Sequence, residues 1–300
     1  MELIDKILSG KNLSDNLLIK QKQLVDQFKL QYARSPGLVV IIVGDDPASQ
    51  VYVKNKELKA KSIGINSVTI TINETEDIEK GSTQYNLLKE INRLNSNDFC
   101  DGILVQLPLP EYIDETLILN SINPQKDVDG FHPENVGRLW TDEKTLIPAT
   151  PKAVISLLKE YNINISGENV VIVGRSNIVG KPLIKLFLDE NATVTIAHSK
   201  SNNLKEITKL ADILVVAVGV PNLITKEFIK KDAIIIDVGI NRTENNKLTG
   251  DVDFVDVFDK VKAITPVPGG VGPMTITMLL DETIKAANLN ERRKNNDYNI

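Results

Sequence analysis

The sequence is poor in the residues that make metal centres and covalent staples. Among 300 residues there is one cysteine, Cys100, which excludes an internal disulfide framework and a cysteine-based zinc site and fits a reducing compartment. Two histidines, His132 and His198, are too few and too isolated for a catalytic metal site, so no metal is expected. There is no basic excess: 35 Lys and Arg face 40 Asp and Glu, a formal net charge of −5. That balance argues against a nucleic acid or a membrane surface as partner. No apolar run reaches the ~18 residues that a membrane span needs. The opening residues, Met1-Glu-Leu-Ile-Asp5, are acidic and amphipathic and do not read as a signal peptide. Internal repeats of solenoid period and low-complexity segments are also missing. These absences leave a soluble cytoplasmic globular protein as the expectation.

Hydrophobic residues make up 42% of the chain and charged residues 25%, enough to bury a core. At 33.2 kDa the chain is about twice the length usual for one domain, so two are expected. Short β-branched runs recur at 38–43, 67–72 and 102–107, and again at 169–173, 193–197, 213–218, 233–238 and 262–265. Runs this apolar read as strands buried on both faces, covered by helices, which is parallel α/β architecture. The segments 55–60 with its flanks, 83–94, 181–188 and 204–210 carry helical spacing between them. A boundary is expected near 148–152, where Thr150-Pro151 looks like a cap and first residue of a helix over 153–161. The expected domains are 1–148 and 149–272. An amphipathic segment, 275–289, follows a proline-glycine stretch and is expected to pack back on the first domain. A polar tail over 290–300 is expected to fray.

After the run ending at Val173 comes Gly174-Arg-Ser-Asn-Ile-Val-Gly180. Gly174 permits a sharp turn, Gly180 a close helix, and the helix N-terminus between them offers N–H groups to a pyrophosphate. Ser176 stands where the dinucleotide fingerprint has its second glycine. About two dozen residues later, Ala197-His-Ser199 lacks the carboxylate that holds the ribose of NAD. Arg175 and Ser199 instead suit a 2′-phosphate and favour NADP, the alternative for Arg175 being an ordinary solvated turn residue.

The first half carries a second group of candidates. Tyr52 and Lys56 are i, i+4 neighbours on a helix opened by Pro47 and Ser49. Such a pair can move a proton if the lysine is buried and its pKa lowered, although the same spacing is common on solvated helices. Gln106 sits near the carboxyl end of a buried-type strand, where parallel sheets bind ligands. Lys126-Asp-Val-Asp-Gly130 forms an acidic turn in which Asp129 can bond local amides, while Asp127 reads as structural or paired with Lys126. The stretch Thr265-Pro-Val-Pro-Gly-Gly-Val-Gly-Pro-Met-Thr275 combines stiff prolines with glycines that let backbone approach a flat ligand.

Six motifs together, Tyr52-x-x-x-Lys56, Asp101-Gly-Ile-Leu-Val-Gln-Leu-Pro-Leu-Pro110, Lys126-Asp-Val-Asp-Gly-Phe131, Gly174-Arg-Ser-Asn-Ile-Val-Gly180, Asp237-Val-Gly-Ile-Asn241 and Pro266-Val-Pro-Gly-Gly-Val-Gly-Pro-Met-Thr275, resemble the bifunctional methylenetetrahydrofolate dehydrogenase/cyclohydrolase family in the same order. The likeness covers roughly residues 3–289. It implies an α/β folate-binding catalytic domain and a Rossmann-like NADP-binding domain with a cleft between them. It also implies NADP-dependent oxidation of 5,10-methylenetetrahydrofolate to the methenyl cation, then hydrolysis to 10-formyltetrahydrofolate. In that scheme Lys56 is the central proton-transfer residue, Gln106 orients it, Tyr52 packs on the folate and supports it, and Asp129 hydrogen-bonds the pterin. Val105 and Leu107 flank Gln106 in the folate site, which Pro268, Gly269, Gly270, Val271 and Gly272 also line. Gly174, Arg175, Ser176, Ser199 and Ile240 hold the dinucleotide. The resemblance further suggests a homodimer joined through the NADP-binding domains. Ala149 and Ala153 depart from the family's usual cysteine and glycine, outside the proposed chemistry.

Three rivals differ in what they require. A short-chain dehydrogenase also uses Tyr-x-x-x-Lys, but after its nucleotide turn, whereas Tyr52 precedes Gly174 by well over a hundred residues. A non-catalytic folate or dinucleotide sensor would need shape but not Lys56, Gln106 and Asp129 together. A monofunctional dehydrogenase would lack the hydrolytic step for which Lys56 and Gln106 speak.

Overall fold

A computed structural model describes residues 6–74, 80–243, 245 and 247–294. The reading of residues 1–5 and the last part of the expected tail, 295–300, lie outside them. Along the chain come α1 (Gly10–Tyr32), β1 (Gly37–Val43), α2 (Pro47–Ser62), β2 (Asn66–Ile72), α3 (Lys80–Asn95), β3 (Gly102–Val105), α4 (Glu115–Ser121) and α5 (Pro133–Trp140). Then follow α6 (Ala149–Glu160), β4 (Asn169–Val173), α7 (Gly180–Asp189), β5 (Thr193–Ala197), α8 (Leu204–Thr208), β6 (Ile213–Val216) and β7 (Ile234–Asp237). The last elements are the small antiparallel pair β8 (Asn241–Arg242) and β9 (Leu248–Thr249), then α9 (Phe254–Val257), β10 (Ala263–Ile264) and α10 (Val271–Lys294). Among the described residues no helix is long and apolar enough to cross a membrane.

The chain divides into two compact units, Leu17–Ala149 with Leu279–Ile300, and Met1–Asn16 with Thr150–Met278. In the first, a parallel sheet has the order β2-β1-β3. Its central strand, Gly-Leu-Val-Val-Ile-Ile-Val, is buried at every position because it has a strand on each side and helices over its faces. In the second, the parallel order is β10-β7-β6-β4-β5. There β6 and β7 are likewise buried throughout. The expectation of burial on both faces fails for β2 and β5, which are edge strands with several exposed residues. Asn66, Val68 and Thr71 of β2 and Thr193 and Thr195 of β5 face solvent that an inner strand never meets.

The division departs from the expected 1–148 and 149–272 at three places. The N-terminal residues go with the second unit because Ile7 forms a parallel bridge to Ile264, Leu8 donates its amide to the Ile264 carbonyl at 2.9 Å, and the Ile264 amide returns a bond to Lys6. Gly10 is pressed against the backbone of Gly270 so closely that a Cβ would lie 1.9 Å from that carbonyl oxygen. The proline-glycine end of the chain leads straight into α10, and only its later part belongs with the first unit. There the buried Glu282 accepts the Ile147 amide at 3.1 Å, and Lys285 donates to the Thr145 carbonyl. The helix also runs through 290–294, where fraying was expected. Finally, Thr150 does not cap α6; the helix begins at Ala149, and the Thr150 hydroxyl lies 3.2 Å from that of Thr275.

In the first unit Arg34 is the organising cation. It binds both oxygens of Asp101 at 2.7 and 2.8 Å and also reaches Glu291 of α10. Asp101 is fully buried and accepts the Gly37 amide at 2.8 Å, so one carboxylate anchors the starts of β1 and β3. Arg34→Ala is expected to leave that carboxylate buried without its counter-charge, at a cost of about 3–5 kcal/mol. Arg34→Lys recovers only part of the loss, because an ammonium cannot make the bidentate pair. Chemical denaturation of the three proteins reads the order directly.

Candidate active site

In the first unit the site forms at the carboxyl edge of the sheet. Helix α2 starts just past β1, with Pro47 in its first turn and Asp46 as cap, whose carboxylate accepts the Ser49 amide at 2.7 Å. Tyr52 and Lys56 follow on one face of that helix. Gln106 is the first residue beyond β3, pinned when its amide donates to the Ile41 carbonyl of β1 at 2.8 Å. Because β1 and β3 are neighbours in register, the helix and the glutamine reach the same edge. The Lys56 ammonium donates to Gln106 Oε1 at 3.1 Å, and Nζ lies 4.7 Å from the centre of the Tyr52 ring. The Gln106 amide nitrogen is turned away, donating to the Leu107 carbonyl at 2.7 Å. The lysine therefore meets a neutral oxygen and a π-face. Neither of these carries a full negative charge.

Lys56 is only 6% exposed. Burial pushes its pKa below the ordinary lysine value, and the carboxylate of Asp129 partly opposes that shift. Asp129 is itself pushed up to about 6, first by burial, against the pull of Lys56 and with a further push from Asp127. Burial and the Asp129 charge raise Tyr52 to about 12, so its phenol keeps its proton. Among the described residues the Asp129 carboxylate accepts no hydrogen bond, which leaves both of its oxygens for a ligand. Its backbone is fixed by the next residue: Gly130 has φ +66°, and a Cβ there would come within 2.9 Å of the 146–148 backbone. Asp127 is not paired with Lys126, which instead donates to the carbonyls of Leu94 and Asn97. It holds the turn, accepting from the His132 amide at 2.8 Å and from Asn135 Nδ2 at 2.9 Å.

In the second unit the turn after β4 has the conformation that its glycines allow. Gly174 has φ +128°, and a Cβ would lie 2.2 Å from the Ala217 carbonyl oxygen; at Gly180 a Cβ would strike the Gly174 carbonyl at the same distance. Ser176 does more than occupy a glycine position. Its hydroxyl accepts the amides of Val179 at 3.2 Å and Gly180 at 3.4 Å, and its carbonyl takes that of Lys181. The amides at the start of α7 are thus already engaged, contrary to the expectation that they stand free. Those without a partner among the described residues belong to the turn itself, Arg175 to Ile178, all of them exposed. Arg175 and Ser199 are both exposed, and both lie at the carboxyl edge of the sheet beyond the adjacent strands β4 and β5. Ile240 is 55% exposed just beyond β7. A cradle that excludes Cβ atoms, a row of open amides, a guanidinium and a hydroxyl fit a phosphorylated dinucleotide.

The structure thus joins Tyr52, Lys56, Gln106 and Asp129, with Val105 and Leu107 beside the glutamine, in one unit. Gly174, Arg175, Ser176, Ser199 and Ile240 lie in the other, as do Pro268, Gly269, Gly270, Val271 and Gly272. In this last stretch the Gly269 carbonyl accepts the Lys11 amide at 3.0 Å, and a Cβ added at Gly272 would lie 3.7 Å from Ile240 Cδ1. Two residues behind the dinucleotide edge had no reading from sequence, Asp237 in its motif and Asp251. Buried aspartates in Gly-rich segments look like ordinary turn residues, and only their partners distinguish them. Burial raises Asp237 to about 7 against the pull of amides from Gly239, Asp251 and Val252.

Fold and site together define an α/β protein with a buried, depressed amine in one unit and a dinucleotide-type turn in the other. The chain belongs to the tetrahydrofolate dehydrogenase/cyclohydrolase family: residues 8–129 match its catalytic-domain model and 148–291 its NAD(P)-binding-domain model. Relatives named bifunctional protein FolD from Bacillus anthracis and Bacillus thuringiensis are each 53% identical over 285 residues, covering 95% of this chain and 97% of theirs. A solved bifunctional FolD methylenetetrahydrofolate dehydrogenase/cyclohydrolase from Campylobacter jejuni is 46% identical with a TM-score of 0.89, over 94% of this chain and 98% of that one. The Trypanosoma brucei enzyme, solved with NADP cofactor and inhibitor, is 35% identical with a TM-score of 0.89, over 95% and 98%.

The electrostatics of the first site can be tested without turnover. Asp129→Asn removes the negative charge that holds the Lys56 ammonium up, so the amine should lose its proton at lower pH than in the parent. The pH dependence of Lys56 acylation by an amine reagent, followed by mass spectrometry, reads the shift. An upward or absent shift contradicts the coupling.

Proposed function

We infer that this chain is a bifunctional enzyme that oxidises 5,10-methylenetetrahydrofolate with NADP and hydrolyses the resulting 5,10-methenyltetrahydrofolate to 10-formyltetrahydrofolate. The observation that carries the reading is a buried lysine, pushed down in pKa and, among the described residues, hydrogen-bonded only to a neutral glutamine oxygen, in a chain that also carries the dinucleotide turn. An ordinary lysine, with pKa ~10.4, is protonated near neutrality and cannot act as a base. Lys56 reaches its neutral form at lower pH, and Gln106 positions it without restoring the charge. The methenyl carbon is already electrophilic, so the hydrolytic step needs a placed water and a proton acceptor. Lys56 takes the proton as the water oxygen bonds to that carbon. The same ammonium then returns a proton to N5 as the carbon–N5 bond breaks, and the hydroxyl proton of the adduct passes through the freed amine to solvent as the C=O forms, leaving the formyl group on N10. Asp129, whose carboxylate accepts no hydrogen bond among the described residues, accepts hydrogen bonds from the pterin edge, and Tyr52 covers the lysine and packs against the folate.

When bound, NADP supplies the acceptor for the hydride that leaves the methylene carbon. The residues that would hold it are the open amides of the 175–178 turn with Arg175, Ser199 and Ile240, the guanidinium and hydroxyl suiting a 2′-phosphate. The reading extends to a cytoplasmic homodimer joined through the NADP-binding units, as the family likeness suggests; light scattering on purified protein tests the assembly.

Lys56→Gln is expected to lower the cyclohydrolase rate roughly 10²-fold or more, the usual worth of a placed acid–base group, and to remove the pH limb that its titration produces. The decay of methenyltetrahydrofolate absorbance across pH checks both. Arg175→Ala should lower kcat/KM for NADP by about 10- to 100-fold while leaving that for NAD nearly unchanged, the loss of one charge-assisted contact. NADPH and NADH formation at matched folate concentration gives the ratio. An equal fall for both cofactors removes Arg175 from 2′-phosphate recognition.

A further inference from the structure

The carboxyl edge of the five-stranded sheet carries a second hydrogen-bonded system beside the phosphate turn. The strand order changes direction at β4: the chain goes out to β5 on one side, then returns to β6, β7 and β10 on the other. In such sheets a dinucleotide crosses the edge at that switch, one half over each set of strands. The adenosine half belongs with β4 and β5, where the phosphate turn and Ser199 lie. The nicotinamide half therefore belongs over the loops that leave β6 and β7.

Those two loops are tied together by one side chain. Asp251 Oδ2 accepts the amides of Val218 at 2.7 Å and Gly219 at 3.0 Å in the loop after β6. Its other oxygen accepts Asn241 Nδ2 at 2.8 Å at the start of β8, where the loop after β7 ends. Asp251 is fully buried and is itself placed by Asp237, whose Oδ1 accepts the Asp251 amide at 3.0 Å. The packing admits no slack: a Cβ at Gly239 would lie 2.2 Å from the Asp251 carboxyl carbon, and one at Gly250 would lie 1.8 Å from Asp237 Oδ2. With its carboxylate engaged by three donors, Asp251 presents nothing to a ligand, but it sets the spacing of the exposed Gly219 and Ile240.

We propose that Asp251 is a positioning residue for the dehydrogenase step, fixing through Val218, Gly219 and Asn241 the two loops between which the nicotinamide half of the cofactor is held. The proposal rests on the reading of the chain as an NADP-dependent dehydrogenase. Asp251→Asn keeps the size but puts an amide donor against one of two sets of donors. It is expected to lower kcat/KM for NADP roughly 10- to 100-fold, the scale on which misplacement of a bound group acts. Hydrolysis of supplied methenyltetrahydrofolate, which needs no dinucleotide, should stay within about twofold of the parent. The reciprocal pair, Asp251→Asn with Asn241→Asp, restores complementarity, since the new amide donates to the new carboxylate while its oxygen still accepts from Val218 and Gly219. It should recover most of the loss, and it keeps the test available if the single variant fails to fold.

Selective loss in the single variant with recovery in the pair supports the proposal. If the single variant does not fold, a folded pair with near-parental kcat/KM for NADP supports it, and a folded pair that hydrolyses but oxidises poorly overturns it. Loss of both activities in parallel, unchanged NADP kinetics, or failure of the pair to recover also overturns it. A parent protein that forms no NADPH from methylenetetrahydrofolate overturns the functional reading itself, and with it the basis for the proposal.

Discussion

The contact on which the proposed chemistry depends is a hydrogen bond between an amine and a neutral amide oxygen, made where water is largely excluded. A carboxylate in place of Gln106 would stabilise the ammonium and keep it protonated, so it could not accept a proton near neutrality. A solvated lysine would have the same fault. The protein reaches the needed state by combining burial of Lys56 with a single, incompletely opposing charge from Asp129. That balance depends in turn on the sheet, because Lys56 and Gln106 come from segments fifty residues apart that meet only through the pairing of β1 with β3.

The same economy governs the other unit, where backbone amides and carbonyls do most of the binding work. Gly174 and Gly180 are needed for closeness, and Ser176 organises the turn from within by taking up the helix-start amides. The loop amides left over point to solvent in a preset arrangement, so a phosphate arriving there meets donors whose ordering is already complete. Asp237 and Asp251 extend this logic to the neighbouring loops by spending their charge on backbone rather than on ligand.

Much of this was legible in the sequence, and for identifiable reasons. The inner parallel strands announced themselves as apolar runs, because a strand with helices on both sides has no polar face to display. Tyr52, Lys56, Gln106 and Asp129, which the fold places in one unit, were legible as motifs whose residue types make sense only together. What could not be read was anything set by neighbours. The edge status of β2 and β5 depends on sheet order, which their composition does not encode. The pairing of Asp127 with His132 and Asn135, and not with the adjacent Lys126, depends on how the turn folds. Helix α1 passed unread because its long polar stretches carry weak periodicity. Arg34 and Asp251 were likewise invisible as organisers, since nothing marks a lone charged residue as the partner of another far along the chain.

One feature of the division bears on how the molecule comes into being. Residues 6–8 extend the larger sheet only by pairing beside Ile264, and Arg34 completes its anchor only with Glu291. Both ties span roughly 250 residues or more. In each unit, therefore, a closing contact is non-local, and the earlier segment waits unpaired until its distant partner is made.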